Sequence, residues 1–253
     1  MPLTKYKTGK LPYKHDDRHL LLSKYLSPSL PPPPKEVHWP NPRPLGMLKN
    51  DTYGCCVPAA MRHGMMVWRQ SNGILYRATD EETIDDYKAV GGFDPNAKLA
   101  ADGSNPTDQG CSELEEMKYL SRIGVVGAFV LVDKRSHDFI KQAIWLFGGA
   151  LLGWQLNKSL DEDAQIWEPP SNLIGDNEPG SGGGHGTFAP GYDDDVIGNI
   201  TWGRRRAASW GYVDDYLDEI WVGVSKYWCE NPQKAPNGLD METLLADLQI
   251  VTA

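Results

Sequence analysis

Residues 50–63 read Asn50-Asp51-Thr52-Tyr53-Gly54-Cys55-Cys56-Val57-Pro58-Ala59-Ala60-Met61-Arg62-His63. A tight Tyr53-Gly54 turn delivers two adjacent cysteines to a segment that Pro58 and the run after it open as a helix. Proline suits a first helical turn, where its missing N–H would have had no partner. The helix continues over 59–70, with Ala60, Met61, Gly64, Met65 and Trp68 spaced for a buried stripe. A cysteine at such a junction sits on the positive end of the helix dipole beside unpaired N–H groups, and both favour thiolate over thiol. The competing reading is that Cys55 and Cys56 are small buried residues, as most free cysteines are. His63 lies on the same helix and reads as a packed or surface residue. A base on the nucleophile's own helix points along it rather than across a cleft.

Outward from this stretch the chain changes character once. Residues 1–48 form an arm, with Pro31 to Pro34 favouring an extended polyproline conformation and one short helix expected around Asp16–Leu26. Thr79 to Val90 reads as a second helix, ended by Gly91-Gly92, with Asp80, Glu81 and Glu82 in its first turn. Ser112-Glu113-Leu114-Glu115 has the pattern of a capping box opening a third helix that stops at Gly124. After Gly124, strands dominate. Val125–Val132 is β-rich, Ser136 caps a helix through Phe147, and Gly149–Leu156 is a buried strand. A long polar loop over 157–184 precedes a hairpin, Gly186–Tyr192 with Val196–Trp202, that turns at Asp193-Asp194-Asp195. Glu219–Ser225 is a further strand and Leu239–Gln249 a terminal helix. Helices first and an antiparallel sheet second is the α+β pattern, with a natural cleft between the halves. The expected divisions are an arm (1–48), a main domain (49–230, helical to about 124 and β thereafter) and a C-terminal helical extension (231–253).

Bulk properties narrow the function. The net charge of −9 and pI near 5.1 argue against nucleic acid and anionic membranes as partners. Four cysteines without a C-x-x-C pair are neither a disulfide framework nor a structural zinc site, and no cofactor is expected. The longest uncharged run, 142–157, is shorter than the roughly 20 residues a membrane span needs. The lysine-rich N-terminus lacks the apolar segment of a secretion signal, so cytoplasmic synthesis is expected, with association to a particle such as a virion as the route out.

A thiolate needs a base, and that base should arrive from the other half of the fold. His185 is the best placed of the six histidines, in Gly182-Gly183-Gly184-His185-Gly186-Thr187-Phe188-Ala189-Pro190-Gly191-Tyr192-Asp193. It follows Cys56 by 129 residues (185 − 56), near the roughly 130–150 separating Cys and His in papain-like enzymes. A phosphate-cradling glycine loop is the alternative, but no Gly-Lys-Ser/Thr follows and no helix begins there.

The chain resembles the papain-like cysteine peptidases at several places, in the same order, over roughly residues 34 to 228. Pro34-Lys35-Glu36-Val37-His38-Trp39 is similar to the P-x-x-V-D-W that opens the mature domain, with His38 in place of Asp. Lys49 to Val57 resembles the K-N-Q-G-x-C-G-x-C-W segment and puts the nucleophile on Cys56 rather than Cys55. Gln109-Gly110-Cys111-Ser112 resembles the family's Gly-Cys helix start. Gly184-His185-Gly186 to Tyr192 is similar to N-H-A-V-x-x-V-G-Y, and Thr201-Trp202-Gly203 with Trp210-Gly211-Tyr212 to N-S-W-G-x-x-W-G-x-x-G-Y, with an insertion containing Arg204-Arg205-Arg206. Within the superfamily the chain is most similar to a divergent bacterial and tailed-phage group, whose C-terminal N-G-x-D matches Asn237-Gly238-Leu239-Asp240.

This resemblance implies a papain-like fold and a cysteine hydrolase acting on an amide bond of a peptide or peptidoglycan-like substrate. Cys56 would be the nucleophile and His185 the base. Asn50 stands where the family's oxyanion glutamine lies, although an alignment shifted by one leaves Asp51 there. The orienting asparagine falls on Ile200; its neighbours Asn199 and Thr201 are the candidates for the third role, and strand alternation turns both to the opposite face. Acyl transfer of the transglutaminase kind would use the same pair. The alternative is a papain-fold structural protein, such as a phage virion component, docking protein neighbours through the arm and the C-terminal helix.

Overall fold

The computed structural model describes residues 5–234 and 238–252. Asn237, part of the N-G-x-D resemblance, lies outside them. The described residues form seven α-helices: α1 (Cys56–Ser71), α2 (Asp80–Gly91), α3 (Glu113–Arg122), α4 (His137–Phe147), α5 (Trp210–Tyr216), α6 (Lys226–Glu230) and α7 (Met241–Thr252). The strands are β1 (Val37–His38), β2 (Val126–Leu131), β3 (Ala150–Leu156), β4 (Ile166–Trp167), β5 (Gly183–Ala189), β6 (Gly191–Tyr192), β7 (Val196–Thr201), β8 (Arg204–Ser209) and β9 (Leu217–Ser225). They build one sheet in the order β1-β6-β7-β5-β3-β9-β2. β8 hydrogen-bonds to β7, and β4 is added parallel to β8; every other pairing is antiparallel. The architecture is α+β, as expected.

Local signals explain the helices. Thr79 and Glu82 form a reciprocal capping box on α2, and Gly92 ends it in the left-handed region (φ 65°). Ser112 and Ser136 cap α3 and α4 through their hydroxyls. β3 reads as a nearly continuous apolar run because both its faces are covered. Leu151, Phe188, Ile200 and Trp221 pack on one face with Met61, Val67, Tyr87 and Leu120 of α1–α3. Alternate positions, among them Leu152, Trp154, Ile197 and Ile220, join Ile144 of α4 and Tyr212 of α5 in a second core.

The structure corrects the sequence reading in three places. Around residues 16–26 only a single 3-10 turn forms, Leu22–Lys24. The loop 157–184 contains β4 and a 3-10 turn at Gly175–Asn177. Arg204–Arg206, within the segment read as an insertion, form the start of β8, where Arg206 is buried and donates to Glu162 O.

The arm packs on the body. Leu22 and Tyr25 are fully buried, Leu131 N donates to Leu20 O (2.8 Å), and Tyr25 OH donates to Asp247 of α7 (2.9 Å). The arm and the C-terminal helix therefore hold each other.

Candidate active site

The 50–56 loop is shaped by two consecutive left-handed residues, Leu48 (φ 54°) and Lys49 (φ 63°). Non-glycine residues adopt this conformation only where the surroundings enforce it. Here Lys49 O accepts from Thr52 N and Tyr53 N, closing the turn. Gly54 N donates to Asp108 Oδ1 (2.8 Å), which also accepts from Tyr87 OH of α2. The turn thus fixes where α1 begins, with Cys55 as its N-cap and Cys56 as its first residue. The two sulfurs diverge. Cys55 Sγ faces back to Leu48 O (3.5 Å), whereas Cys56 Sγ accepts the N–H of Gly186 (3.3 Å) on β5. Cys56 therefore lies against the residue next to His185.

His185 is completely buried. Its Nε2 pairs with Thr201 Oγ1 at 2.6 Å, its ring stacks on Trp202 (centroids 4.3 Å apart, 21° between planes), and its Nδ1 has no hydrogen-bond partner. Of the two expected third members, Thr201 meets the histidine and Asn199 does not. Asn199 Oδ1 accepts from Thr187 Oγ1 (2.8 Å), which accepts from Trp154 Nε1 (2.8 Å). Ile200 packs in the helix-side core. The expectation that Thr201 faces away fails because β7 ends at Thr201 and does not continue through Trp202. Trp202 (φ 45°) and Gly203 (φ 69°) are instead the left-handed turn between β7 and β8. The turn swings the indole over His185 and leaves Thr201 on the histidine's face.

Asn50 is buried and Asp51 exposed. The Asn50 amide donates to Tyr53 O and to Lys7 O, both at 3.3 Å, and Trp202 Nε1 also donates to Lys7 O (3.3 Å). Lys7 belongs to the arm, which threads the cleft. Gly9 N and Lys10 N donate to Gly184 O (3.0 and 2.9 Å), Cys111 N to Gly9 O (2.9 Å), and Leu11 N to Cys111 O (3.0 Å). Tyr6 stacks on the outer side of the site against Trp202 (5.0 Å). A Cβ on Gly9 would overlap the carbonyl of Gly54, so the arm lies too close for any larger residue there.

Burial under the arm sets the electrostatics. Burial pushes the Cys56 thiol up to about 11; the N–H groups of Gly186 and Gly9 and the charge of Lys10 oppose the rise, and Glu113 adds to it. Burial alone pulls His185 down to about 3. The expectation of a lowered thiol pKa at the helix start is corrected for this closed state. A helix terminus is worth up to about 2 kcal/mol, or roughly 1.5 pKa units, while full burial shifts a group by about 3–5. The buried site holds a neutral thiol and a neutral imidazole.

His63 is buried, as expected of a packed residue, with Nε2 on Leu45 O (2.9 Å). Sequence reasoning missed Trp202 as the lid of His185, for which the Trp-Gly turn was the available signal. It also missed Lys10, whose ammonium enters the protein between Asp218 and Glu219. Among the described residues no cluster of His, Cys, Asp and Glu is arranged to hold a metal ion.

No family model and no curated protein matches this sequence. Solved structures do. Xylellain, a cysteine protease from Xylella fastidiosa, superposes with a TM-score of 0.62 at 13% identity, over 88% of this chain and 97% of that one. The cysteine protease and lectin-like domains of Cwp84, a surface layer associated protein of Clostridium difficile, give 0.56 at 12% identity over 88% of this chain and 56% of that one. Digestive procathepsin L 3 from the larval midgut of Tenebrio molitor gives 0.50 at 9% identity, over 88% and 76%. Identities this low speak for the fold alone: the chain has the fold of the papain-like cysteine peptidases.

Proposed function

We propose that the protein is a cysteine hydrolase of amide bonds in peptide or peptidoglycan-like chains, held latent by its own arm. His185 Nδ1 takes the proton of Cys56 Sγ, and the sulfur attacks the amide carbonyl carbon. The Asn50 amide and the Cys56 backbone N–H receive the oxyanion. Collapse breaks the C–N bond, the imidazolium returns its proton to the leaving amine, and water then hydrolyses the thioester, restoring thiol and neutral histidine. Thr201 orients the ring by accepting from Nε2–H, which leaves the Nδ1 lone pair for the sulfur.

One observation carries this reading. The strand that bears His185 bonds Cys56 Sγ through the very next N–H (3.3 Å), while the imidazole is held at Nε2 and left unpaired at Nδ1. Latency is supported by the arm backbone occupying Gly184 O, Cys111 and the Asn50 amide.

The test uses the full chain with Gly9→Ala, which expels the arm from beside Gly54, incubated with an unfolded protein. New N-termini should appear, and Cys56→Ala or His185→Ala should each abolish them. Absence of cleavage, together with a Cys56 no more reactive than Cys55, would refute the reading.

A further inference from the structure

Lys10 is the most deeply buried cation of the arm: its side chain is 0% exposed. Its Nζ lies 2.6 Å from Asp218 Oδ2 and 2.9 Å from Glu219 Oε1. The two carboxylates are themselves fixed from the body. Gln155 Nε2 donates to Asp218 Oδ2 (2.9 Å), and Trp221 Nε1 donates to Glu219 Oε2 (2.6 Å). Glu113, the first residue of α3, is also 0% exposed and faces the same point, with neither carboxyl oxygen hydrogen-bonded. Gly153, opposite Glu219 in the sheet, makes the room. A Cβ there would overlap Lys10 Cε and come within 2.9 Å of Glu113 Oε1. Glu113, Gly153, Gln155, Asp218, Glu219 and Trp221 all belong to the body; the arm supplies the cation and one backbone donor, Tyr13 N to Asp218 Oδ2 (3.2 Å).

The pocket adjoins the sulfur. Gly9, the neighbour of Lys10 in the chain, donates its N–H to Gly184 O (3.0 Å) on the strand whose Gly186 N–H donates to Cys56 Sγ (3.3 Å), and both Glu113 and Lys10 act electrostatically on that thiol. When the arm leaves, the buried carboxyl groups remain with no cation among them, an unfavourable arrangement unless another positive charge enters. We propose that this pocket receives the ε-ammonium of a lysine from the chain that replaces the arm, so that substrates carrying lysine one residue from the residue at Cys56 are the preferred class. The substrate half of this statement rests on the hydrolase reading; the pocket half does not. A compact ammonium fits because a single nitrogen reaches both carboxylates, whereas the planar fork of a guanidinium calls for paired oxygens in one plane.

The test is chemical rescue in the full chain, in a Cys56→Ala background so that turnover plays no part. Lys10→Ala should lower the thermal midpoint, and n-butylammonium should raise it by several degrees more than n-butanol does, with a logarithmic dependence on concentration. Neither the Lys10 chain nor Lys10→Ala/Glu219→Gln should show this difference. Equal effects of amine and alcohol would overturn the proposal. Should Lys10→Ala fail to fold, Lys10→Met decides. It should be less stable than the Lys10 chain and regain stability on adding Glu219→Gln; a Lys10→Met chain of unchanged stability refutes the cation site. Rescue without peptide cleavage by the arm-released Gly9→Ala chain, Cys56 intact, would retain the pocket and remove the hydrolase reading, and cleavage without rescue would do the reverse.

Discussion

Thr201 and Asn199 are two residues apart on β7, and their contacts separate a role in orientation from a role in packing. Thr201 bonds the His185 ring at 2.6 Å, whereas Asn199 ends the buried chain Trp154–Thr187–Asn199. A hydrogen bond to a group that becomes charged is worth about 1.5–3 kcal/mol. Thr201→Val should therefore slow amide cleavage by about 10–100-fold at little expense in stability. Asn199→Ala should instead destabilise by about 1–3 kcal/mol while leaving the rate near that of the parent. Paired rate and urea-unfolding measurements on the arm-released chain distinguish the two. His63 gives a pH signature. Burial holds it at about 4, below its ordinary 6.5, so the folded state keeps it neutral while the unfolded chain protonates. Its contribution is present above pH 6.5 and is lost as pH falls through about 4. His63→Gln, which can still donate to Leu45 O, should remove an acid-side loss on the order of 3 kcal/mol in urea midpoints followed across that range.

The elements that the sequence made legible are those with a local chemical signature. Thr79 with Glu82, Ser112 and Ser136 each mark a helix start that the structure reproduces within a residue. Thr79→Ala should thus lower stability by about 1 kcal/mol without altering Cys56 reactivity, a result that thermal unfolding beside alkylation would show. β8 and α5 stayed hidden for a physical reason. Arg204 is exposed, Arg205 is half-buried on Trp39 O and Pro40 O, and Arg206 is buried on Glu162 O, a placement that hydrophobic periodicity does not reveal. The Trp202-Gly203 turn lacks the Asn-Gly or Asp-Gly that usually announces a two-residue hairpin. That one missed turn also hid the partnership of Thr201 with His185.

For the molecule as a whole, the decisive fact is where the arm goes. Composition marks residues 1–48 as extended and proline-rich, but the path of such a segment depends on tertiary contacts that no local pattern encodes. In the structure its described residues are anchored by the buried Leu22 and Tyr25, and Gly9 and Lys10 bond Gly184 beside His185. The two cysteines, the glycine-flanked histidine and the order of the motifs were readable because each is a contiguous stretch. The cover over them was not, because residues 8–10 and 183–184 meet only when the chain has folded. Peptide-mapped alkylation by iodoacetamide near neutral pH, run on the full chain, on Gly9→Ala and on Gly9→Ala/His185→Ala, tests nucleophile, base and cover together. Slow labelling of the closed chain, fast labelling confined to Cys56 once the arm is expelled, and a return to slow labelling without His185 is the expected pattern. Equal labelling of Cys55 and Cys56, or a Cys56 whose reactivity ignores His185, would contradict it.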